Sequence, residues 1–355
     1  MHSKGTSYSR RAFLKTTAAG LAPLALAGRV CRGEESLALA SSVTTAQHHV
    51  AFESRGDSLL IRVDDRPLAT YVCHDPEILR PYFKDVCAPG GVQVTRHHPP
   101  REGSDPLNHA TMHPGLWLAF GDLGGADFWR NKATVVHGGF VKAPHAEGDR
   151  GAFTVRNLYT AGGIVLCEET CTYTFQVRPA GSLILWDSTF QSKQSGLRFG
   201  DQEEMGLGVR VATPMMVKPY DNRHRPGRIL DDHGRRNEKA IWGELAAWCD
   251  YGGRVDDTFT GIMIMPDPRN AVACRWHVRD YGLMVANPFG QSVFKKGPVQ
   301  KTEIGSGRPF HLRFGILLHA AGAENDFDPV AAYDDYLKIV TNQVHSSAQT
   351  PKESE

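Results

Sequence analysis

The chain has 355 residues, 41% of them hydrophobic and 22% charged, with a formal net charge of +1. A balance this close to neutral lacks the basic footprint that nucleic acid or an anionic bilayer requires, so neither is expected as a partner. Roughly 300 residues follow the N-terminal segment, enough to bury a large core in one β domain or in two smaller ones.

The N-terminal segment carries Ser9-Arg10-Arg11-Ala12-Phe13-Leu14-Lys15. Paired arginines followed by Phe-Leu-Lys form a twin-arginine signal, which exports proteins already folded. The alanine-rich stretch 16–27 behind it is shorter and milder than the roughly 20 apolar residues a membrane span needs. Ala25 with Ala27, or Ala38 with Ala40, supplies an A-x-A cleavage site. Residues 1–40 therefore read as a signal peptide and linker, and the mature protein is expected in the periplasm or beyond. A basic N-terminus that stays attached is the alternative. The order of charge, apolar run and cleavage site favours the leader. Arg29-Val30 before Cys31 argues against lipoprotein processing.

Six cysteines remain: Cys73, Cys87, Cys167, Cys171, Cys249 and Cys274. They contain no C-x-x-C and lack the spacing of a small disulfide framework. They read as buried small apolar residues, with one or two disulfides as the alternative in an oxidising compartment.

Period-2 alternation of apolar and polar residues recurs along the chain from 48 to about 320. The clear strands are 59–63, 151–159, 168–177 and 182–190, and short turns join the first two to runs over 67–72 and 164–177. Further candidates are 206–212, 239–250, 259–265, 275–278, 283–286 and 311–319. Asp64-Asp65 and Gly162-Gly163 look like two-residue hairpin turns. One helix signal stands out near the C-terminus. Asp328 suits an N-cap, Pro329 the first helical position, and Val330 to Val340 follow at helical spacing. The fold class expected is mainly β: a large antiparallel sandwich over 41–342 with one C-terminal helix at about 328–340. Residues 343–355 read as a polar, disordered tail. The loops 96–108 and 218–237 are long and polar, a length that points to covering a site or to mobility.

Three blocks concentrate chemistry. The first runs from Asn108, His109 and His113 through Trp117 and Asp122 to Asp127 and Trp129. Pro114-Gly115 opposes a helix there, so a loop must bring the two imidazoles together if they act together. The pair reads as acid/base or metal-binding groups at a pocket rim, beside aromatic faces that suit a sugar ring. The plainer reading is two hydrogen-bonded structural histidines. The second block is the acidic loop 200–206 before a strand that carries Arg210. Glu204 offers a general base, and Arg210 a hold on a carboxylate or hydroxyls. A solvated acidic turn is the plainer reading. In the third block His277 and Arg279 face one side of a short strand, with Asn287 nearby. His97-His98 reads as solvated. No nucleophile elbow, P-loop, dinucleotide fingerprint or H-E-x-x-H motif is present.

Together these blocks resemble the PmoA-like family of bacterial proteins, a domain of unknown function that often carries the automated label "methane oxygenase". The matching segments are Arg80-Pro81-Tyr82-Phe83, 109–117 with Gly121-Asp122, Asp127-Phe128-Trp129, 203–210, 247–253, 276–282 and Asn287-Pro288-Phe289-Gly290. The family pattern near the first block is D-H-P-x-H-x-G-L-W. Here Asn108 stands for the acid, Ala110 for the proline, and the second histidine is shifted to 113. The resemblance implies a β-supersandwich similar to galactose-mutarotase-like proteins and a setting of sugar catabolism. Methane oxidation is not expected, because the subunit sharing that name is a multi-span membrane protein and no spanning segment follows the leader here.

The first functional reading is an enzyme acting on a sugar or glycoside by epimerisation, hydrolysis or elimination. His109, His113, Glu204 and His277 would form its acid/base set. Trp117, Asp127, Trp129, Arg210 and Asn287 would bind a small-molecule or oligosaccharide substrate. The alternatives are a non-catalytic carbohydrate-binding protein and a metal-dependent enzyme using the same histidines. No organic cofactor is expected.

Overall fold

A computed structural model of the protein describes residues 48–348 apart from Ser306. The leader over 1–40 and the end of the polar tail lie outside the described residues. Two eight-stranded antiparallel sheets form the body of the fold. In spatial order the first contains Val50–Arg55, Ser58–Val63, Arg66–Val72, Tyr82–Lys84, Leu116–Phe120, Met205–Arg210, Leu283–Asn287 and Arg275–Arg279. The second contains Arg228–Asp231, Cys249–Val255, Thr258–Pro266, Phe310–Ala321, Gly181–Gln191, Ile164–Arg178, Arg150–Ala161 and Thr134–Glu147. Asp64 and Asp65 have φ of 50° and 63°, and Gly162 and Gly163 have 56° and 78°. Paired positive φ values are what a two-residue hairpin matching the strand twist demands, so both predicted turns form.

Alternate residues of each strand point between the sheets. Phe83 and Phe120 of the first sheet meet Tyr173, Trp186 and Phe190 of the second, with ring centroids 5.0–5.7 Å apart. Edge-to-face packing of this kind adds about 0.5–1.5 kcal/mol per pair beyond area burial. The outer face of the second sheet presents Leu183, Leu185, Met263, Met265 and Leu317, and the C-terminal helix Pro329–Ala348 lays Ala332, Tyr336 and Val340 on it. Asp328 caps that helix, its Oδ1 accepting from Val330 N and Ala331 N at 3.0 Å. The helix continues to Ala348, past the end expected at 340 and into the segment expected to be disordered. Neither Gly nor Pro interrupts the sequence between Pro329 and Pro351, so nothing stops it earlier.

Three expectations need correction. The stretch 239–250 is not one strand: a short helix Asn237–Ile241 and a turn precede the strand Cys249–Val255. The loop 218–237 contains the edge strand Arg228–Asp231, in which Ile229 reaches the core while Arg228 and Asp231 at its ends are buried in ion pairs. The 14-residue edge strand Thr134–Glu147 was not foreseen, because Gly138-Gly139 and three register shifts break its period. All six cysteines among the described residues are free. No helix among them is long and apolar enough to cross a membrane.

Candidate functional site

The outer face of the first sheet carries the predicted site. Leu116, Leu118 and Phe120 point into the core, which turns Trp117 and Ala119 outward. By the same alternation Gly206, Gly208 and Arg210 point outward, as do Leu283, Val285 and Asn287, and His277 and Arg279. Register aligns Trp117, Gly208, Val285 and His277 in one row across four strands. Three interstrand steps of about 4.8 Å separate the ends of that row by roughly 14 Å. Glycine at 208 is required: a Cβ there would stand 2.8 Å from Trp117 Cζ2 and 3.2 Å from Trp129 Cη2.

Four rings stack above this floor. Trp117 and Trp129 meet edge-on at 5.3 Å, His113 stacks on Trp117 at 5.2 Å and 10°, and His109 lies 5.0 Å from His113. A single turn closes the two histidines together, with His113 N–H donating to His109 O at 2.9 Å. His109 sits at φ 54°, and Pro114 prevents the turn from becoming a helix. Both tryptophans are fully buried and His113 is nearly so, whereas His109 is exposed. The indoles thus pack the floor of the site and display no face to a ligand in this conformation.

Three buried arginines surround the rings. Arg80 donates to the carbonyls of Met112, Phe128 and Trp129 and to Asn131 Oδ1. Arg96 donates to the carbonyls of Pro106, Asn108, His109 and His113. Arg210 donates from Nη2 to Asn108 Oδ1 at 3.2 Å and lies 4.6 Å over the Tyr281 ring. Among the described residues no carboxylate lies within 4.0 Å of any of the three; the nearby Asp105 is engaged by Thr213 and His97. Burial depresses Arg80 and Arg96 to about 9 and Arg210 to about 10, so all three stay cationic at neutral pH. Desolvation, then Arg210, then the other charges hold His113 well below the usual imidazole range. Desolvation, Arg210 and Arg96 lower His109 in the same way. Both imidazoles are therefore neutral at pH 7, and neither His113 ring nitrogen has a hydrogen-bond partner.

His277 belongs to a second polar cluster on the same face. Its Nδ1 lies 2.9 Å from Glu203 O and its Nε2 3.2 Å from Glu203 Oε1. Burial pushes it down to about 4 despite Glu203. Glu203 is also held by Arg279 and by Trp242 Nε1, and Asn287 Nδ2 donates to the carbonyls of Gln202 and Glu203. Glu204 instead pairs with Arg130. Asp127 fastens the turn below it, accepting from Trp129 N, Arg130 N and the Arg130 guanidinium. The structure thus groups His109, His113, Trp117, Trp129 and Arg210 in one cluster. It sets His277 and Asn287 in another, and it places Glu204 and Asp127 on the Arg130 turn. His98, read as solvated, is in fact half-buried and packs edge-on against Tyr82 at 5.4 Å.

A surface cavity of about 450 Å³ opens beside the first cluster, lined by Asn108, Arg210, Lys218, Tyr220 and Tyr281 with apolar neighbours. A larger cavity, about 620 Å³, lies where His48, Asp64, Arg66, Gly90, Arg178 and Ser182 meet, and contains no predicted site residue. Sequence reasoning missed Arg80, Arg96, Glu203, Lys218, Tyr220 and Tyr281 as site components. Arg80 and Tyr281 stand in quoted motif segments, but nothing in a sequence distinguishes a buried arginine from a solvated one. Among the described residues the group of three with metal-ligand geometry is Asp231, Asp232 and His233. Arg235 already pairs with Asp231 there. Among the described residues no third metal-ligating side chain groups with His109 and His113.

Fold and site define an antiparallel β-sandwich protein with a cationic, histidine-bearing outer face. The profile of a family of unknown function, DUF6807, matches residues 58–327, and the chain belongs to that family. No curated protein matches it.

Proposed function

We propose that this is an exported carbohydrate-active protein, an enzyme that moves a proton on a sugar or glycoside at the His109–Arg210 face. The observation that carries the reading is a pair of neutral imidazoles, one exposed, held beside a buried guanidinium with no carboxylate partner. A neutral imidazole is a competent base at pH 7. A fixed cation beside it favours a transition state in which negative charge develops. His109 takes a proton from a carbon next to a carbonyl group. The C–H electron pair forms a C=C bond as the carbonyl π pair moves onto the oxygen, toward Arg210. Return of a proton to the opposite face gives epimerisation; loss of a β-oxygen substituent, which leaves with a proton, gives elimination. Hydrolysis is less well supported, since it ordinarily uses two facing carboxylates and none lines the cavity. The paired-arginine leader supports export. The PmoA-like resemblance fits this sugar-catabolic setting, and methane oxidation forms no part of the reading.

The test is a turnover screen of the purified protein against plant and algal oligosaccharides, 3-keto derivatives included. His109→Ala is expected to abolish turnover while leaving the melting temperature nearly unchanged. Turnover by that variant at the parent rate overturns the reading. Binding without any turnover would instead support a non-catalytic carbohydrate-binding protein, a role for which Tyr220 and Tyr281 in the cavity lining are suited.

A further inference from the structure

We infer that the cavity beside Arg210 seats the anionic group of an acidic saccharide, a hexuronate carboxylate or a sugar sulfate ester. The inference deepens the carbohydrate reading and rests on it. Arg210 is 1% exposed, and its Nε and Nη1 are buried with no hydrogen-bond partner. An unpaired buried charge costs several kcal/mol, and beyond Asn108 and the Tyr281 ring this guanidinium has no partner among the described residues, which leaves it able to take an anion from outside the chain. Among the described residues the one side-chain acceptor on Arg210 is Asn108 Oδ1, a neutral oxygen carried on an exposed residue. That oxygen sits where an anionic oxygen would make a shorter, charge-assisted bond.

The surroundings select for negative charge. The cavity lining supplies two cations, Arg210 and the exposed Lys218, and no carboxylate. Arg96 lies behind and raises the local positive potential. Recognition of a sugar ring is left to Tyr220 and Tyr281. Tyr281 is already polarised by Arg210, 4.6 Å over its ring. An acid group on the sugar also places its carbonyl or sulfate oxygens on the guanidinium, which orients the ring toward His109 on the adjacent turn.

The experiment is calorimetric titration of the full mature chain at low salt with three oligosaccharides of equal length: one neutral, one of hexuronates, one sulfated. At least one acidic ligand is expected to bind on the order of tenfold more tightly than the neutral one, and which of the two does so identifies the anion. Arg210→Met should erase that preference, bringing the affinity for the acidic ligand down to or below that for the neutral one. Should Arg210→Met fail to fold, Lys218→Met, a surface change, should still reduce acidic binding severalfold. Equal affinity for neutral and acidic ligands, or a preference that survives both variants, overturns the inference and leaves the carbohydrate reading intact. Arg210-dependent binding of acetate or sulfate, with no saccharide bound, overturns the carbohydrate reading and with it the sugar part of this inference.

Discussion

Glu169 is a carboxyl group buried between the sheets, on the interior strand Ile164–Arg178 and 3% exposed. Ser188 Oγ donates to its Oε1 at 2.5 Å, Asn157 Nδ2 to its Oε2 at 2.9 Å, and the Tyr159 hydroxyl to Oε2 at 3.5 Å. Trp186 Nε1 donates in turn to Ser188 at 3.0 Å. Among the described residues no cation faces the carboxyl. Burial therefore pushes it above the usual carboxylate range, against the lowering by Ser188, Asn157 and Tyr159. A carboxyl raised on folding contributes stability that is fully present below its unfolded value of about 4.3 and is lost as pH rises through the folded value. Glu169→Ala orphans up to three donors at about 1 kcal/mol or more each and opens a cavity, for a total loss of about 3–5 kcal/mol. Glu169→Gln keeps the volume. Ser188 still donates to its oxygen, and Asn157 can flip to offer Oδ1, which has no partner now. That variant should stay within about 1 kcal/mol of the parent and lose the decline of stability toward alkaline pH. Urea unfolding at pH 5 and pH 8 measures both. A Gln variant as unstable as the Ala variant would show that the ionised carboxylate is required, and the reasoning would be wrong.

Three further outcomes follow from other sites. Asp250, His319 and Arg228 form a buried cluster, with Asp250 accepting at 2.9 Å and 2.7 Å. Burial pushes Asp250 up, but His319 and Arg228 bring it below the ordinary range. Asp250→Asn should cost about 3–5 kcal/mol and flatten the acid limb of the stability profile, since this contribution is lost as pH falls through the folded value. Gly208→Ala should lose about 1–3 kcal/mol by pressing on Trp117, with a changed near-ultraviolet dichroism band; an unchanged band and stability would contradict the packing described. With His109 lowered by burial, Arg210 and Arg96, the acid limb of turnover should fall below pH about 6.5. An inflection above that pH would exclude His109 as the base.

Strands with clean alternation, such as Ile164–Arg178, were legible because along much of their length one face meets the core and the other does not. Thr134–Glu147 was hidden by its glycines, and Arg228–Asp231 because charged residues buried in ion pairs flank its apolar pair Ile229-Leu230. At the site, the Asn108 to Trp117 block was legible as a concentration of imidazole and indole. Its meaning changed with burial. Trp117 and Trp129 are packed away, and the groups that set the electrostatics, Arg80 and Arg96, reach it from distant strands and loops. Choosing Glu204 over Glu203 had no physical basis in sequence. The strand that follows turns one toward Arg130 and the other toward His277 and Arg279.

Hydrogen exchange with and without a bound saccharide tests the location of the site most directly. The account predicts slowed exchange in 106–113, 216–220 and 281–283, around the 450 Å³ cavity. Slowed exchange confined to 64–68, 88–91 and 177–182, around the 620 Å³ cavity, would contradict it.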